Sequence, residues 1–373
     1  MDKMRSKLAE RAERGNLRGL TGGRGGVDFF SNDYLGLASN AELSQDINRM
    51  YATFEGKVNG SAGSRLLAGN HAFFEELERF LADIFQSEKA LIFNSGYNAN
   101  LAVLSCIPQR GDTIVYDELI HASLIDGARL SFARRYSFAH NDLDDLRRLL
   151  EKSEGDAYVV TESVFSMDGD NAPLVEMVEL CERFGARLVV DEAHSTGVYG
   201  DRGNGMACML GLEDRIFARI MTFGKAMGAH GACVCGSGLL IDYLINFARS
   251  FIYTTALPVH SLVTIDQAFR FLTKNTILQT RLKEKITMFL ACAGEARLDA
   301  SLIPSDSPIQ MLRVPGNTKA KRLADHLVGQ GFDVRPILSP TVREGEERLR
   351  ICLHSFNKSE DIRRLVKEVA GRI

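Results

Sequence analysis

Short apolar runs alternate with helical patterns through the middle of this 373-residue chain. The runs cover residues 90–93, 113–116, 157–161, 187–190, 218–222 and 231–235. Helical patterns lie near residues 97–106, 122–131, 142–152 and 174–184. Runs that are apolar throughout and lie between helices are typical of strands covered on both faces. The sequence therefore predicts an α/β fold built on a mostly parallel sheet.

The flanking regions differ in character, which predicts a division into three parts. Residues 2–18 have the pattern of a charged helix, and a glycine-rich stretch at 21–26 leads into a short strand at 27–31. An amphipathic helix is predicted at 71–85. After Pro258 the patterns predict a long helix at 260–292, strands at 309–314, 333–337 and 348–353, and helices at 318–329 and 359–370. We expect an N-terminal segment at 1–39, a large domain at 40–257 and a smaller α+β domain at 258–373.

Charge and cysteine usage exclude several classes of protein. The 45 basic residues nearly balance the 48 acidic ones, which argues against a nucleic-acid-binding protein and against a polybasic membrane patch. The chain has no apolar run long enough to span a bilayer, and residues 1–20 lack the apolar core of a signal peptide. Its seven cysteines are scattered singly, without the spacing of a metal site. We therefore expect a soluble, cytoplasmic protein without a bound metal.

A carboxylate and a histidine follow the predicted strand at 187–190. Asp191 comes directly after the apolar run, and His194 follows three residues later. Ligands of parallel sheets bind at the carboxyl ends of the strands, where a carboxylate can pair with a protonated ring nitrogen of a cofactor. Asp191 is also typical of a helix N-cap, so this motif alone leaves both interpretations open.

Other strand ends carry groups that suit the same kind of ligand. Lys225 follows the strand at 218–222, and the hydroxyl of Thr222 comes three residues before it. Such a lysine can hold an aldehyde as an imine and later act as a base, although most lysines in loops are simply solvated. Gly96 and Tyr97 open a helix, where free N–H groups attract an anion. Ser166 adds a hydroxyl beyond the strand at 157–161. The joint occurrence of these motifs in this order favours a cofactor site.

The motifs together resemble those of the α-oxoamine synthases, a family of fold-type I enzymes that use pyridoxal 5′-phosphate (PLP). The matching stretches are FSNDYLGL (30–37), GSAGSR (60–65), SGY (95–97), HAS (121–123), VFSMDGD (164–170), DEAH (191–194), TFGK (222–225) and PTV (340–342). They extend along nearly the whole chain. The resemblance implies the fold-type I architecture and an acyltransferase that depends on PLP.

The resemblance also implies roles for individual residues. Lys225 would hold PLP as a Schiff base, Asp191 would pair with the pyridine nitrogen, and His194 would hydrogen-bond the ring oxygen. His121 would stack on the ring and assist the loss of CO2. The implied cofactor-binding set is Gly96, Tyr97, His121, Ser166, Asp191, His194, Thr222, Lys225, Thr254 and Thr255.

The implied substrate contacts are Arg18, Asn32, His121, Thr341 and Arg350, of which Asn32 and Arg350 would grip the carboxylate of the amino acid. The segment at 253–255 matches one that reaches the phosphate of a neighbouring subunit, which implies a homodimer with shared active sites. Simpler interpretations remain for some of these residues. His121 is also typical of a helix cap, Arg18 of plain surface, and Arg350 of the polar face of a half-exposed strand.

Within the family, the chain looks most like the members that join L-alanine to pimeloyl-CoA or a pimeloyl-carrier thioester in biotin biosynthesis. That reaction releases CO2 and the free thiol. The alternative is a member that uses glycine or serine with another acyl-CoA, such as a 2-amino-3-ketobutyrate CoA ligase or a serine palmitoyltransferase. A non-catalytic partner subunit is disfavoured, because such subunits lack the Schiff-base lysine and this chain has Lys225.

Overall fold

A computed structural model describes residues 1–17, 19–20, 25–54 and 59–373. The helices are α1 (Asp2–Glu13), α2 (Ala41–Ala52), α3 (Ala72–Ile84), α4 (Gly96–Cys106), α5 (Ala122–Leu130), α6 (Leu143–Leu150), α7 (Leu174–Phe184), α8 (Gly205–Met209), α9 (Gly238–Phe247), α10 (Arg249–Ile252), α11 (Val259–Lys274), α12 (Ile277–Glu295), α13 (Asn317–Gly329) and α14 (Ser359–Ala370). The strands are β1 (Val27–Asp28), β2 (Lys89–Phe93), β3 (Thr113–Asp117), β4 (Arg134–Phe138), β5 (Ala157–Glu162), β6 (Arg187–Asp191), β7 (Ala218–Thr222), β8 (Ala232–Gly236), β9 (Leu302–Ile303), β10 (Ile309–Arg313), β11 (Phe332–Asp333), β12 (Arg335–Ile337) and β13 (Arg348–Cys352).

The contacts within the chain group it into two compact units. The larger unit comprises Leu35–Ser166 and Asn171–Gln279, and the smaller comprises Met1–Tyr34, Met167–Asp170 and Thr280–Ile373. These boundaries differ from the predicted ones. The N-terminal segment groups with the C-terminal region because β1 pairs with β11, and α11 groups with the larger unit. The two units group residues by their contacts, and the three-part division into domains stays a prediction.

The larger unit is built on a seven-stranded sheet with the order β2-β8-β7-β6-β5-β3-β4. Strands β7, β6, β5, β3 and β4 run parallel, whereas β8 is antiparallel to both of its neighbours. Every residue of β5 is buried, and so are nearly all residues of β6 and β7. The continuous apolar runs therefore correspond to strands covered on both faces. The predicted α/β fold with a mostly parallel sheet is confirmed.

Helices α4 and α5 pack very closely against each other beside this sheet. Gly127 of α5 permits the approach, because a Cβ there would lie 3.0 Å from the Asn100 carbonyl oxygen and 3.4 Å from the Leu101 Cα. Contacts this short mean that a side chain at position 127 would push the helices apart. The glycine thus permits the close approach of α5 to α4 at Asn100 and Leu101.

The smaller unit contains a four-stranded sheet with the order β12-β13-β10-β9, in which paired neighbours are antiparallel. Strand β13 lies between β12 and β10, and all five of its residues are buried. The sheet therefore agrees with the strand segments predicted for an α+β region. In particular, β13 is not the half-exposed strand that the simpler interpretation of Arg350 required.

Two of the differences from the sequence predictions have clear physical reasons. The single helix predicted at 260–292 is two helices, because Asn275 leaves helical geometry and its side chain donates to the Phe271 carbonyl. Strand β4 was not predicted, since Phe138 is its only buried residue and the apolar run is missing. It lies at the edge of the larger sheet, where one side of its backbone has no neighbouring strand and four successive residues are exposed. None of the described helices has the length and apolar character that crossing a bilayer requires.

Candidate active site

The carboxyl ends of the parallel strands bring the predicted site residues together. Asp191 ends β6, Thr222 ends β7, and Glu162 ends β5. The parallel register places Glu162 opposite Asp191. Lys225 follows three residues after β7, and its charge acts on both Glu162 and His121. The sheet therefore gathers an amine, an imidazole and two carboxylates at one edge of the larger unit, as the motif order predicted.

Asp191 is buried and already held by hydrogen bonds. The residue is only 4% exposed. Oδ1 accepts from the Ala193 N–H at 2.9 Å, and Oδ2 accepts from the Asn100 amide at 2.8 Å. Each oxygen keeps capacity for a further donor, because a carboxylate offers about four lone-pair directions. Asp191 is not a helix N-cap, because the next helix begins at Gly205, and its carboxylate is a fixed acceptor with room for a further donor.

His121 lies at the start of α5, where its Nδ1 accepts from the Ser123 N–H at 3.2 Å and lies 2.7 Å from the Ser123 hydroxyl. Burial of part of the ring lowers the pKa of His121; the Asp191 carboxylate opposes this, and the Lys225 charge reinforces it. The residue as a whole remains exposed, so one edge of the ring is open to a ligand. His121 therefore does cap α5, as the simpler interpretation predicted. The opposite edge of its ring is left to contact a ligand.

Glu162 is a site residue that the sequence reasoning did not single out. It is 2% exposed, and its Oε1 accepts from the His121 backbone N–H at 2.5 Å. Burial and the nearby Asp191 carboxylate raise the pKa of Glu162 to about 8. A signal was present, because Glu162 ends an apolar run just as Asp191 does.

The first turn of α4 presents an anion-binding surface. Ser95 caps the helix, with its hydroxyl accepting from the Asn98 N–H. Among the described residues, no acceptor meets the N–H groups of Gly96 and Tyr97. A Cβ at Gly96 would lie 2.6 Å from the Cγ2 of Thr222, so the end of β7 sits directly against this turn. Free N–H groups at a helix start, with a hydroxyl beside them, match the needs of a phosphate.

Tyr97 also ties α4 to α5, since its hydroxyl donates to the Asp126 carboxylate in a short hydrogen bond. That bond raises the pKa of Tyr97. The predicted residues Thr254 and Thr255 lie beside the same turn: the Asn94 amide donates to the Thr254 hydroxyl at 2.8 Å and points to the Thr255 carbonyl at 3.5 Å. These contacts are within one chain, so the predicted role at a neighbouring subunit stays a prediction.

His194 and Ser166 complete the larger unit's part of the predicted set. His194 is 4% exposed and follows Asp191 in the loop after β6. Ser166 is the last residue of the larger unit before the chain contributes Met167–Asp170 to the smaller one. Both lie on loops that leave the carboxyl ends of strands, as expected for contacts with a ring.

The two residues predicted to bind the carboxylate of the amino acid, Arg350 and Asn32, lie in the smaller unit. Arg350 of β13 is 6% exposed, and its Nη2 donates to the Asn32 Oδ1 at 2.9 Å. The Tyr34 hydroxyl donates to the same oxygen at 3.0 Å. Thr341 is exposed on the loop after β12. Arg18 lies outside the described residues.

The larger unit therefore fits PLP, the cofactor that the resemblance implied. It offers an anion site at the start of α4, a buried carboxylate for a ring N–H, and an amine on Lys225. The open edge of the His121 imidazole adds a group for the ring face. A lysine and a carboxylate for the ring nitrogen are the groups by which proteins typically hold this cofactor, and a helix start is a typical phosphate site.

Comparison with known proteins agrees with this geometry. The sequence profile of the family described as aminotransferase class I and II matches residues 24–369. The 8-amino-7-oxononanoate synthase of Emericella nidulans is 42% identical over 367 residues, which cover 92% of this chain and 88% of that protein. The solved 8-amino-7-oxononanoate synthase from Francisella tularensis is 30% identical, with a TM-score of 0.78 over 93% of this chain and 97% of that one. A serine palmitoyltransferase from S. paucimobilis, solved with bound PLP–myriocin aldimine, is 25% identical, with a TM-score of 0.88 over 100% of this chain and 97% of that one.

The chain therefore belongs to the aminotransferase class I and II family. Its relatives include curated 8-amino-7-oxononanoate synthases, so the α-oxoamine synthase resemblance is confirmed, together with the fold class that it implied.

Proposed function

We propose that this chain catalyses the decarboxylative condensation of L-alanine with a pimeloyl thioester. The products are 8-amino-7-oxononanoate, CO2 and the free thiol, and the reaction is a step of biotin biosynthesis. The observation that carries the proposal is the meeting of Lys225, Asp191 and His121 at one sheet edge, in a chain 42% identical to an 8-amino-7-oxononanoate synthase. The enzyme class and the cofactor, PLP, follow from the family.

The residues of the larger unit divide the work of holding PLP. The N–H groups of Gly96 and Tyr97 and the Thr222 hydroxyl would take the phosphate. Asp191 would accept the pyridine N–H, and Lys225 would carry the aldehyde carbon. When bound, PLP supplies a ring that accepts the electron pair left by a broken bond at the α-carbon of the amino acid.

Proton movements are assigned to this chain's own groups. The Lys225 Nζ would take the proton from the α-carbon of alanine and later return one to the product, because an amine that is free of its imine is a competent base. Asp191 would bring its carboxylate to the ring nitrogen in a buried setting, where such an interaction is stronger than the same pair in water. His121 would face the reacting carboxylate with the open edge of its ring.

Arg350 and Asn32 are proposed to bind the carboxylate of alanine. A guanidinium offers a planar pair of donors that matches a carboxylate, and the Asn32 contact fixes the orientation of that plane. The acyl partner is the less determined half. The proposed acyl donor is pimeloyl-CoA or a pimeloyl-carrier thioester, and Thr341 is a proposed substrate contact.

A homodimer with shared active sites is proposed as the working assembly. Large apolar side chains of the larger unit are exposed in the single chain, among them Tyr253 at 73%, Phe132 at 77% and Leu67 at 82%. Tyr253 adjoins Thr254, so a covering partner chain would lie beside the proposed phosphate site. Light scattering of the purified protein tests this, and a monomeric mass would contradict it.

The cytoplasm is the proposed location. All seven cysteines are free, and Cys181, Cys233, Cys235 and Cys352 are buried. Unpaired thiols of this kind suit a reducing compartment.

The decisive experiment is a substrate panel. Purified enzyme would be given alanine, glycine or serine with pimeloyl-CoA, a pimeloyl-carrier thioester, acetyl-CoA or palmitoyl-CoA, while free thiol and CO2 are measured and products are identified by mass. Alanine with a pimeloyl thioester should give the highest kcat/KM. A higher value for glycine or serine with another acyl group would replace this function with that of a different family member.

A second experiment tests the lysine. Borohydride reduction of the yellow enzyme should fix PLP on Lys225. The Lys225→Ala variant should lose this link and nearly all turnover, whereas Lys89→Ala, which removes a surface lysine paired with Asp242, should keep both. Wild-type turnover in Lys225→Ala would refute the mechanism.

A further inference from the structure

A buried hydrogen-bond chain connects Asp191 with His121. It passes through two residues that the proposed function does not use, Asn100 of α4 and Ser123 of α5. Asn100 is 2% exposed and Ser123 is fully buried. The Asn100 Nδ2 lies 2.8 Å from the Asp191 Oδ2 and 2.9 Å from the Ser123 Oγ. The Ser123 Oγ in turn lies 2.7 Å from the His121 Nδ1.

The direction of each hydrogen bond follows from the chemistry of the groups. A carboxylate oxygen accepts, so the Asn100 side chain must turn its NH2 group toward Asp191. The second hydrogen of that NH2 then points at Ser123. The opposite orientation would place the Asn100 Oδ1 against the carboxylate. In the arrangement seen here, that Oδ1 is buried without a partner among the described residues. The free-energy cost of this unpaired oxygen is offset by the two hydrogen bonds that the NH2 group donates.

Ser123 passes the direction on to His121. Its hydroxyl oxygen accepts from Asn100, which leaves its own hydrogen to donate, and the acceptor within reach is the His121 Nδ1. The Ser123 backbone N–H also donates to Nδ1 at 3.2 Å. A backbone N–H cannot accept, so Nδ1 carries a lone pair and the imidazole proton resides on Nε2.

We propose that Asn100 and Ser123 are positioning residues that hold His121 as the Nε2–H tautomer, so that it meets the substrate as a hydrogen-bond donor. The proposal rests on the proposed function for the identity of the site, and it adds a direction to the role of His121. Nε2 has no partner among the described residues, so it is the nitrogen available to an oxygen of the substrate. Capping of α5 alone would need only the backbone N–H of Ser123. It gives no reason for a buried asparagine on the neighbouring helix.

The surrounding charges are consistent with a neutral ring. Asp191 and Asp126 favour protonation of His121, whereas burial and Lys225 oppose it, and the net effect lowers its pKa. Two donors directed at Nδ1 act in the same sense, because they stabilise the form in which that nitrogen is unprotonated.

The test is made on the PLP-bound enzyme with ¹⁵N-labelled histidine. Long-range proton–nitrogen correlation spectra report which ring nitrogen carries the proton, and the His121→Gln variant identifies the signals of His121. In the wild type, the proton should be on Nε2. Ser123→Ala should raise the pH at which His121 becomes protonated, move the acidic limb of the kcat profile to higher pH and lower kcat about tenfold, the value of one lost hydrogen bond of roughly 1.4 kcal/mol.

The Asn100→Ala variant distinguishes the two ends of the hydrogen-bond chain, Asp191 and His121. It should change the titration of His121 as Ser123→Ala does, and it should also shift the visible band of the cofactor, because Asp191 loses a donor. Ser123→Ala should leave that band unchanged. Ser131→Ala is the matched control, since Ser131 is a buried serine at the other end of α5 whose hydroxyl donates to the Pro108 carbonyl. It should alter neither readout.

A proton on Nδ1 in the wild type overturns the proposal, and this measurement does not depend on any variant folding. So does an unchanged His121 titration in both Ser123→Ala and Asn100→Ala. Failure of the proposed function looks different. It would appear as absent product from alanine and pimeloyl thioesters, while the tautomer of His121 remains measurable.

Discussion

The Arg350 guanidinium donates to the Asn32 side chain at 2.9 Å, although 318 residues separate them in the sequence. The contact joins the central strand of the smaller sheet to the segment that follows β1. Since both residues lie in the smaller unit, the two predicted carboxylate contacts come from one compact body. A single preformed pair therefore accounts for motifs at opposite ends of the chain.

The first prediction concerns this pair. Arg350→Leu should raise the KM for alanine about 10- to 100-fold, the value of a charged hydrogen bond of roughly 1.5–3 kcal/mol, with little change for the acyl thioester. Steady-state kinetics with each substrate varied in turn measure this. Arg313→Leu, an exposed arginine at the end of β10, is the control. The bound-PLP spectrum must stay intact. A loss confined to the acyl substrate would show that Arg350 has another role.

The second prediction concerns Asp191. Asp191→Asn should fold but hold the ring nitrogen without a negative partner, which should slow exchange of the alanine α-proton about a hundredfold or more, roughly 2.7 kcal/mol or more. Exchange into D2O, followed by NMR, isolates this step from the acyl transfer. Asp266→Asn removes another buried carboxylate, one paired with Arg270 of α11, and should leave exchange unchanged. Wild-type exchange in Asp191→Asn would contradict the assignment.

The third prediction is a pH dependence of stability that comes from Glu162. Its folded-state pKa is raised to about 8 from a usual value of 4.5, so the folded protein retains a proton that the unfolded chain releases between these two values. Stability contributed by the protonated form is therefore complete below about pH 4.5 and is lost as the pH rises toward 8.

Glu162→Gln keeps an acceptor for the His121 N–H and removes the titration. Thermal unfolding measured from pH 5 to 8 should show a smaller decrease in Tm for this variant than for the wild type. Parallel curves would show that Glu162 does not titrate in this range in the folded protein.

The fourth prediction uses the contact between Gly96 and Thr222. Gly96→Ala places a Cβ 2.6 Å from the Thr222 Cγ2 and should raise the Kd for PLP about tenfold or more, because the helix start must shift from the phosphate. Thr222→Ser removes that methyl group and keeps the hydroxyl, so the double variant should recover most of the affinity. Gly329→Ala, at a position with nothing within 4 Å, is the control. Fluorescence titration of the apoenzyme gives each Kd. Failure of the double variant to recover would locate the clash elsewhere.

The parallel sheet and the site at the carboxyl ends of its strands could be predicted because both follow from local sequence patterns. Apolar runs mark the buried strands, and Asp191 and Lys225 follow such runs directly. Glu162 follows one too, but no motif attached a role to it. Asn100 was unpredictable in a different way: inside a helix, a buried asparagine is indistinguishable from an exposed one until the neighbouring helix is placed.

The edge strand β4 and the break at Asn275 mark the other limit. Both depend on what packs against the segment, and neither leaves a periodic signal in the chain. Arg350 shows the same limit, since the sequence pattern also suited the polar face of a half-exposed strand, whereas all five residues of β13 are buried.

The close approach at Gly127 has a consequence for how binding events communicate. Because Gly127 has no side chain, the backbone of α5 packs directly against α4 at Asn100, Leu101 and Leu104, and the starts of the two helices carry the proposed phosphate site and His121. A shift of one helix must therefore be followed by the other, and any coupling between the two sites acts equally in both directions: the factor by which a group bound at the start of α4 changes the affinity at His121 equals the factor that the reverse order would give. The cofactor's phosphate would thus sit on the same pair of helices as His121, although it is remote from the bonds that change.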